Sequence, residues 1–213
     1  LKGFDRELSS ALKDEMKNKG IDLIFGKNIM SIKGTKGDLK VKVSDDHIIK
    51  CEGVLFATGR KPLLKALNLE QVKVNFSDQR IFVDENNATN ISNIYAIGDV
   101  TNRINLTPVA IDEGRAFADR VFGKTLRTVN YDLIPKAVFS QPEIASVGLT
   151  EEEAEDSFGI DNIKIFRSKF RAMSKAYVRD EERCLMKLIT LRKNNKIIGC
   201  HMIGENSSEI IQM

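Results

Sequence analysis

The sequence has no apolar run near the ~18 residues that a membrane-spanning helix needs, so it offers no candidate span. Neither sign of charge dominates. Its 33 lysines and arginines stand against 30 aspartates and glutamates, a net +3, too little to build a strong field for nucleic acid or a membrane surface. Cysteine is scarce: Cys51, Cys184 and Cys200 lie far apart, without metal-ligand spacing, which points to reduced thiols in a cytoplasm-like compartment. Fixed-period repeats and low-complexity tracts are missing. No Gly-x-Gly-x-x-Gly occurs, and His47 and His201 belong to no catalytic motif. With 213 residues the chain has room for one or two domains.

What the sequence does hold centres on residues 89–99. Ile94-Tyr95-Ala96-Ile97 is apolar and too short for a helix between polar flanks, which predicts a buried parallel strand. Gly98 lets backbone approach a ligand there. Asp99 falls beyond the carboxyl end of that strand, where open α/β sheets bind ligands, and a carboxylate there can accept bonds from sugar-like hydroxyls. A plain Gly-Asp turn is the competing reading.

The next segment predicts a helix, with Thr107 as cap, Pro108 at the first helical position and Gly123 as stop. Val109, Ile111, Gly114, Phe117, Ala118, Val121 and Phe122 recur at roughly helical spacing and predict its buried stripe. The free N–H groups of its first turn would point back towards Asp99 and favour electron-rich ring oxygens. Elsewhere, Leu8, Ala11, Leu12 and Met16 predict a helix over 5–19 capped by Asp5 and stopped by Gly20. A strand is expected at Ile21 to Phe25, then three or four strands across 29–56 with turns at 34–37 and 45–46. From Asp132 on, strands at 136–140, 144–148, 163–170, 184–191 and 196–203 are expected around a helix that begins at the capping box Thr150-x-x-Glu153.

In this order, Val54-Leu-Phe-Ala57-Thr58-Gly59-Arg60-Lys-Pro62, the Gly98-Asp99 pair, the helix after Thr107, and Ile134-Pro135 through Gly148-Leu149-Thr150 resemble the flavin-dependent pyridine nucleotide-disulfide reductases. Within that family the chain is most similar to the members that reduce glutathione disulfide. The resemblance covers nearly the whole chain. It implies an α/β and α+β fold. Residues 1–62 would close a nucleotide-binding domain, 63–131 would return to a flavin-binding domain, and 132–213 would form an antiparallel dimerisation domain. The family's two glycine-rich fingerprints, its cysteine pair separated by four residues and its His-Pro with a following glutamate do not occur here. The chain also begins at Leu1 and stops at a helix start, 207–213, so it reads as an internal piece of a longer enzyme that holds no catalytic residue itself.

For the site, the resemblance implies FAD and NADPH as cofactors. Asp99 would accept from the ribityl chain, beside Gly98, and Leu106, Thr107 and Pro108 would bring the helix start to the pyrimidine end of the flavin ring. Arg115 would pair with a carboxylate of glutathione disulfide; its bland alternative is an exposed helix arginine. Lys2 would meet the 2'-phosphate of NADPH. Gly59 would let the nucleotide approach, Asn105 and Ala137 would line the nicotinamide side, and Arg60 would either pair with phosphate or tie two domains. The intact protein would be a cytoplasmic homodimer, with no nucleic-acid partner and no membrane. A reductase for another disulfide, such as dihydrolipoamide, and a non-catalytic dimerisation module are the alternatives. The run Lys164-Ile-Phe166-Arg167-Ser-Lys169-Phe170 interleaves cations with aromatics, but its alternation suits a half-buried strand better than a nucleic-acid surface. Cys184 and Cys200 fall in apolar strands and are expected to pack as small hydrophobes.

Overall fold

A computed structural model of the chain describes residues 1–178 and 181–213. In chain order its elements are α1 (Arg6–Asn18), β1 (Ile29–Thr35), β2 (Asp38–Val43), β3 (Ile48–Cys51), α2 (Thr107–Val121), β4 (Lys136–Val138), β5 (Ile144–Gly148), α3 (Glu151–Phe158), β6 (Ile163–Phe170), α4 (Met173–Tyr177), β7 (Cys184–Leu191), β8 (Ile197–Ile203) and α5 (Ser207–Ile210). Contacts divide them into two units, one of Leu1–Met30, Val43–His47 and Asp132–Met213, the other of Ser31–Lys42 and Ile48–Tyr131.

The first unit is built on a five-stranded antiparallel sheet in the order β4-β5-β8-β7-β6. The five expected strands all form, and so does the capping box: Thr150 accepts from the Glu153 N–H, and the Glu153 carboxylate accepts from the Thr150 N–H. Strand register sorts the side chains into rows. Ile144, Ile203 and Leu185 stand opposite one another, and α1 lays Leu8 and Leu12 on them with Phe4, Ala11 and Met16 at the margin. Thus α1 forms as its periodicity predicts, and it packs on the C-terminal sheet. Ala154 of α3 joins Ile163 and Ile189 in a neighbouring cluster on the same sheet. Each buried leucine there contributes about 1.5–3 kcal/mol of apolar burial.

Between those apolar rows runs a polar one, Ser146-His201-Lys187-Arg167, paired strand to strand. Lys187 is only 2 % exposed. Its ammonium donates to both oxygens of Asp5, at 2.9 and 2.8 Å, and lies 2.5 Å from Glu151 Oε2 and 3.1 Å from Glu7 Oε2. Asp5 also caps α1 through the Glu7 N–H and accepts from the Glu151 N–H at the start of α3. Arg167 pairs with Glu7 and Glu151 on the solvent side. Burial alone raises the Asp5 carboxyl, but the Lys187 ammonium and the Glu151 N–H outweigh it and hold the group below its ordinary 3.8. Burial works against the Lys187 charge too, and the carboxylates of Asp5, Glu151 and Glu7 hold its pKa above 10.5. Next in the row, His201 Nε2 meets the Leu149 carbonyl at 2.8 Å, and burial holds its imidazole below 6.5.

In the second unit, β2 and β3 pair antiparallel in a three-stranded sheet with β1, and β1 turns into β2 at Lys36–Gly37. Leu64, Leu69, Val74, Ile81 and Ala96 form its buried cluster. Two predicted strands are absent, and across 29–56, where three or four were expected, three form. Residues 21–25 and 54–57 form no strand, with Ile24, Phe25, Leu55 and Phe56 exposed. Residues 94–97 form one antiparallel bridge, Tyr95 to Ala88, where a buried parallel strand was expected; Ala96 is buried, but Tyr95 and Ile97 are partly exposed. A parallel strand needs a parallel neighbour, and among the described residues none of these segments has one; the pairing of 94–97 is a single antiparallel bridge. Cys184 is buried and Cys200 half-buried, both as unpaired thiols, as expected of small packing residues. Residues 173–177 form the short helix α4.

Two measurements follow from the polar row. Lys187→Ala leaves the Asp5 carboxylate buried without its cation, and urea denaturation should show a loss of about 3–5 kcal/mol. His201 has a folded pKa below its unfolded value, so the unfolded state binds more protons and its contribution to stability is complete only above 6.5. Urea midpoints should therefore fall as pH drops below 6.5, with further loss below about 4.5 and 3.8 as Glu7 and Asp5, both depressed, take up protons. In His201→Gln the first part of that fall should disappear and the second should remain.

Candidate functional site

Ile97 is extended, and the chain then turns through Gly98–Thr101, closed by the Thr101 hydroxyl donating to the Gly98 carbonyl at 2.9 Å. Gly98 has φ +70°, and a Cβ there would meet the Ala110 Cβ at 3.0 Å, so the turn sits directly against α2 and requires glycine. Asn102, left-handed at φ 50°, ends the turn, and its N–H donates to the Asp99 carbonyl.

A buried carboxylate holds this turn from beneath. Glu113 of α2 is 1 % exposed, and its Oε2 accepts from the Gly98 N–H at 2.6 Å. Its Oε1 accepts from the Tyr131 hydroxyl at 2.7 Å. Arg103 in turn donates to the Tyr131 oxygen at 2.7 Å and to the Asp84 carbonyl at 2.8 Å, with its guanidinium over the Tyr131 ring. Burial raises the Tyr131 pKa, and the bond to Glu113 raises it further, against Arg103. The sequence reading overlooked Glu113, although Val109, Glu113 and Ala116 share one face at i, i+4 and i+7.

That face corrects the predicted stripe. Val109, Glu113 and Ala116 are the buried positions of α2, whereas Ile111, Val121 and Phe122 are exposed. The cap is also shifted by one residue: extended Leu106 is the N-cap, and Thr107 is the first helical residue. The first rung runs from the Ala110 N–H to the Leu106 carbonyl, so the N–H groups of Thr107 and Val109 lie ahead of it, and Pro108 has none to satisfy.

Asp99, Thr107 and Pro108 are exposed, and Leu106 is half-buried. Among the described residues the Asp99 carboxylate accepts no side-chain or backbone bond. Gly98, Asp99 and the α2 start are brought together by the Gly98–Ala110 contact and the Glu113 bond. Asn105 is exposed, with its amide donating to Asn102. Arg115 is exposed on α2 and makes no ion pair among the described residues. Gly59 has φ +131° with open space where a Cβ would stand, and Arg60 beside it is exposed. Lys2, exposed, and Ala137, half-buried in β4, belong to the first unit.

A flavin's ribityl hydroxyls need an acceptor and its ring oxygens need donors. An unengaged carboxylate beside a helix start with unused N–H groups supplies both, so these residues fit the group.

Comparison with known proteins gives the same direction. Residues 1–114 match the family model described as pyridine nucleotide-disulphide oxidoreductase, and residues 134–213 match the dimerisation domain of that family. The chain is 44% identical over its whole length to a glutathione reductase of Burkholderia cepacia, of which it covers 47%. It is 42% identical to a glutathione reductase of Nostoc sp., of which it covers 49%. It thus spans about half the length of the curated relatives it matches. The HOCl-induced flavoprotein disulfide reductase RclA from Escherichia coli superposes on 98% of the chain with a TM-score of 0.88 at 26% identity, the chain covering 48% of that structure. Matched by family models on both sides of residues 115–133, the chain belongs to the pyridine nucleotide-disulphide oxidoreductases.

Proposed function

We propose that the protein to which this chain belongs is an FAD-dependent reductase that converts glutathione disulfide to glutathione with NADPH. The observation that carries this reading is the exposed, unengaged Asp99 carboxylate set beside the start of α2. Its relatives named glutathione reductase, at 44% and 42% identity, support glutathione disulfide as the substrate.

When bound, FAD would carry electrons from the reduced nicotinamide to a disulfide. The chain's own residues would bind and orient. Asp99 would accept from the ribityl hydroxyls, and the N–H of Thr107 would face the pyrimidine edge of the ring, where a helix start favours negative charge. Gly98 would let the cofactor approach its backbone, with Leu106 and Pro108 shaping the helix entry. Lys2 would supply the cation for the 2'-phosphate, Gly59 and Arg60 would receive the nucleotide, and Asn105 and Ala137 would border the nicotinamide. Arg115 would hold a glutathione carboxylate with its planar fork. Residues 1–62 would then belong to the NADPH-binding domain, 63–131 to the FAD-binding domain and 132–213 to the dimerisation domain of a homodimer. The three unpaired thiols support a reducing, cytoplasm-like compartment. No described helix is long and apolar enough to cross a membrane.

Expression of the complete reading frame should give a yellow protein that oxidises NADPH when glutathione disulfide is added. A flavin-bound protein that ignores glutathione disulfide but reduces another disulfide would keep the family and refute the substrate. In the active protein, Arg115→Ala should raise KM for glutathione disulfide about tenfold while KM for NADPH stays unchanged, the loss of one charge-assisted contact. Lys2→Ala should do the reverse, raising KM for NADPH about tenfold and leaving that for the disulfide.

A further inference from the structure

We infer that Glu113 is a positioning residue for the flavin, setting the Gly98–Asp99 turn through the Gly98 N–H rather than touching the cofactor itself; the inference rests on the flavin reading above.

A carboxylate is seldom fully buried unless something on the protein needs it. Glu113 lies beneath the turn, its two oxygens divided between two different tasks. Oε2 takes the N–H of Gly98, the residue immediately before Asp99. Oε1 is held by the Tyr131 hydroxyl, itself clamped by Arg103, which reaches on to the Asp84 carbonyl. The carboxylate therefore cannot swing away from Gly98 without breaking a chain of bonds that ends on the backbone of another loop. Because Glu113 is on α2, the same link fixes the spacing between the Asp99 turn and the helix start. Those two elements must face one ligand together, so an error in their spacing is an error in the ligand's site. The Gly98–Ala110 approach keeps the turn from moving inward, and the Glu113 bond keeps it from moving outward.

The experiment uses the complete protein, stripped of flavin and titrated with FAD while flavin fluorescence is followed. Glu113→Ala leaves the Gly98 N–H without its acceptor, and Kd for FAD should rise about tenfold or more. Glu113→Gln keeps an amide oxygen for that N–H, and Kd should stay within about threefold of the wild type. A folded Glu113→Ala protein that binds FAD within about twofold of the wild type overturns the inference. If that variant does not fold, Tyr131→Phe decides: it frees Oε1 without removing the carboxylate, and a Kd raised about threefold or more supports the role, whereas an unchanged Kd overturns it. A wild-type protein that takes up no FAD at all overturns the flavoprotein reading, which is a different failure from tight binding in both wild type and variant.

Discussion

The Asp5 carboxylate lies wholly out of water, and its two oxygens accept four bonds from three donors: the Glu7 N–H and Lys187 on one, the Glu151 N–H and Lys187 on the other. A carboxylate has about four good acceptor directions, so none is left for solvent. Removing two charges from water costs several kcal/mol, and a pair of this kind adds little net stability against an apolar core of the same volume. What it adds is a unique arrangement. The start of α1, the start of α3 and strand β7 are each tied to one atom group, and a slip of β7 by one residue would point Lys187 to the opposite face. The apolar rows on either side, Ile144-Ile203-Leu185 and Ile189 with Ala154, depend on that register.

Glu113 repeats the arrangement in the other unit, with a backbone N–H on one oxygen and a hydroxyl on the other. Asp99 is its opposite. One turn carries both a backbone N–H committed to a buried carboxylate and, one residue later, a carboxylate with no commitment in the chain. On the flavin reading that difference is the chemistry of a binding site: acceptors that shape the protein are satisfied internally, and the acceptor kept for the ligand would be the one left exposed. Unused N–H groups at the start of α2 complete it, since donors and an acceptor stand on two elements that one buried bond keeps in register.

The C-terminal sheet was legible in the sequence because its strands carry a two-residue period, bounded by turn residues and an unambiguous capping box at Thr150 and Glu153. The same period places Lys187 on the face of Leu185 and Ile189, so its burial could have been read; a lysine between two inward residues is the signal. In α2 the helix was legible but its face was not. Val109, Ala110, Ile111, Ala116, Phe117, Ala118, Val121 and Phe122 surround the helix on several sides, so spacing alone cannot choose among them. The choice is made by Glu113, whose partner Tyr131 is distant in sequence and carries no pattern. Residues 94–97 failed for a related reason: apolar composition indicates a buried strand, but pairing depends on neighbours that a local pattern does not contain. Of the candidate site, the Gly98-Asp99 pair and the helix start were legible because turn and cap chemistry are local. The support beneath them was not.

On the proposed NADPH reading, the first unit's anchor would also bear on Lys2. Phe4 packs against the core of α1 and Asp5 is saturated, yet Lys2, only a short step earlier, is exposed, and Gly3 between them takes φ +77°. A long cationic side chain loses about 2 kcal/mol of rotamer freedom when a phosphate fixes it, and a mobile backbone would add its own loss. Anchoring the chain at Phe4 and Asp5 removes most of the backbone part before any ligand arrives, which is preorganisation. The cation is left free to turn, and the segment that carries it is not. An aspartate that caps a helix and binds a buried lysine is therefore under two constraints at once, and on the proposed NADPH reading it would also steady the segment that carries Lys2.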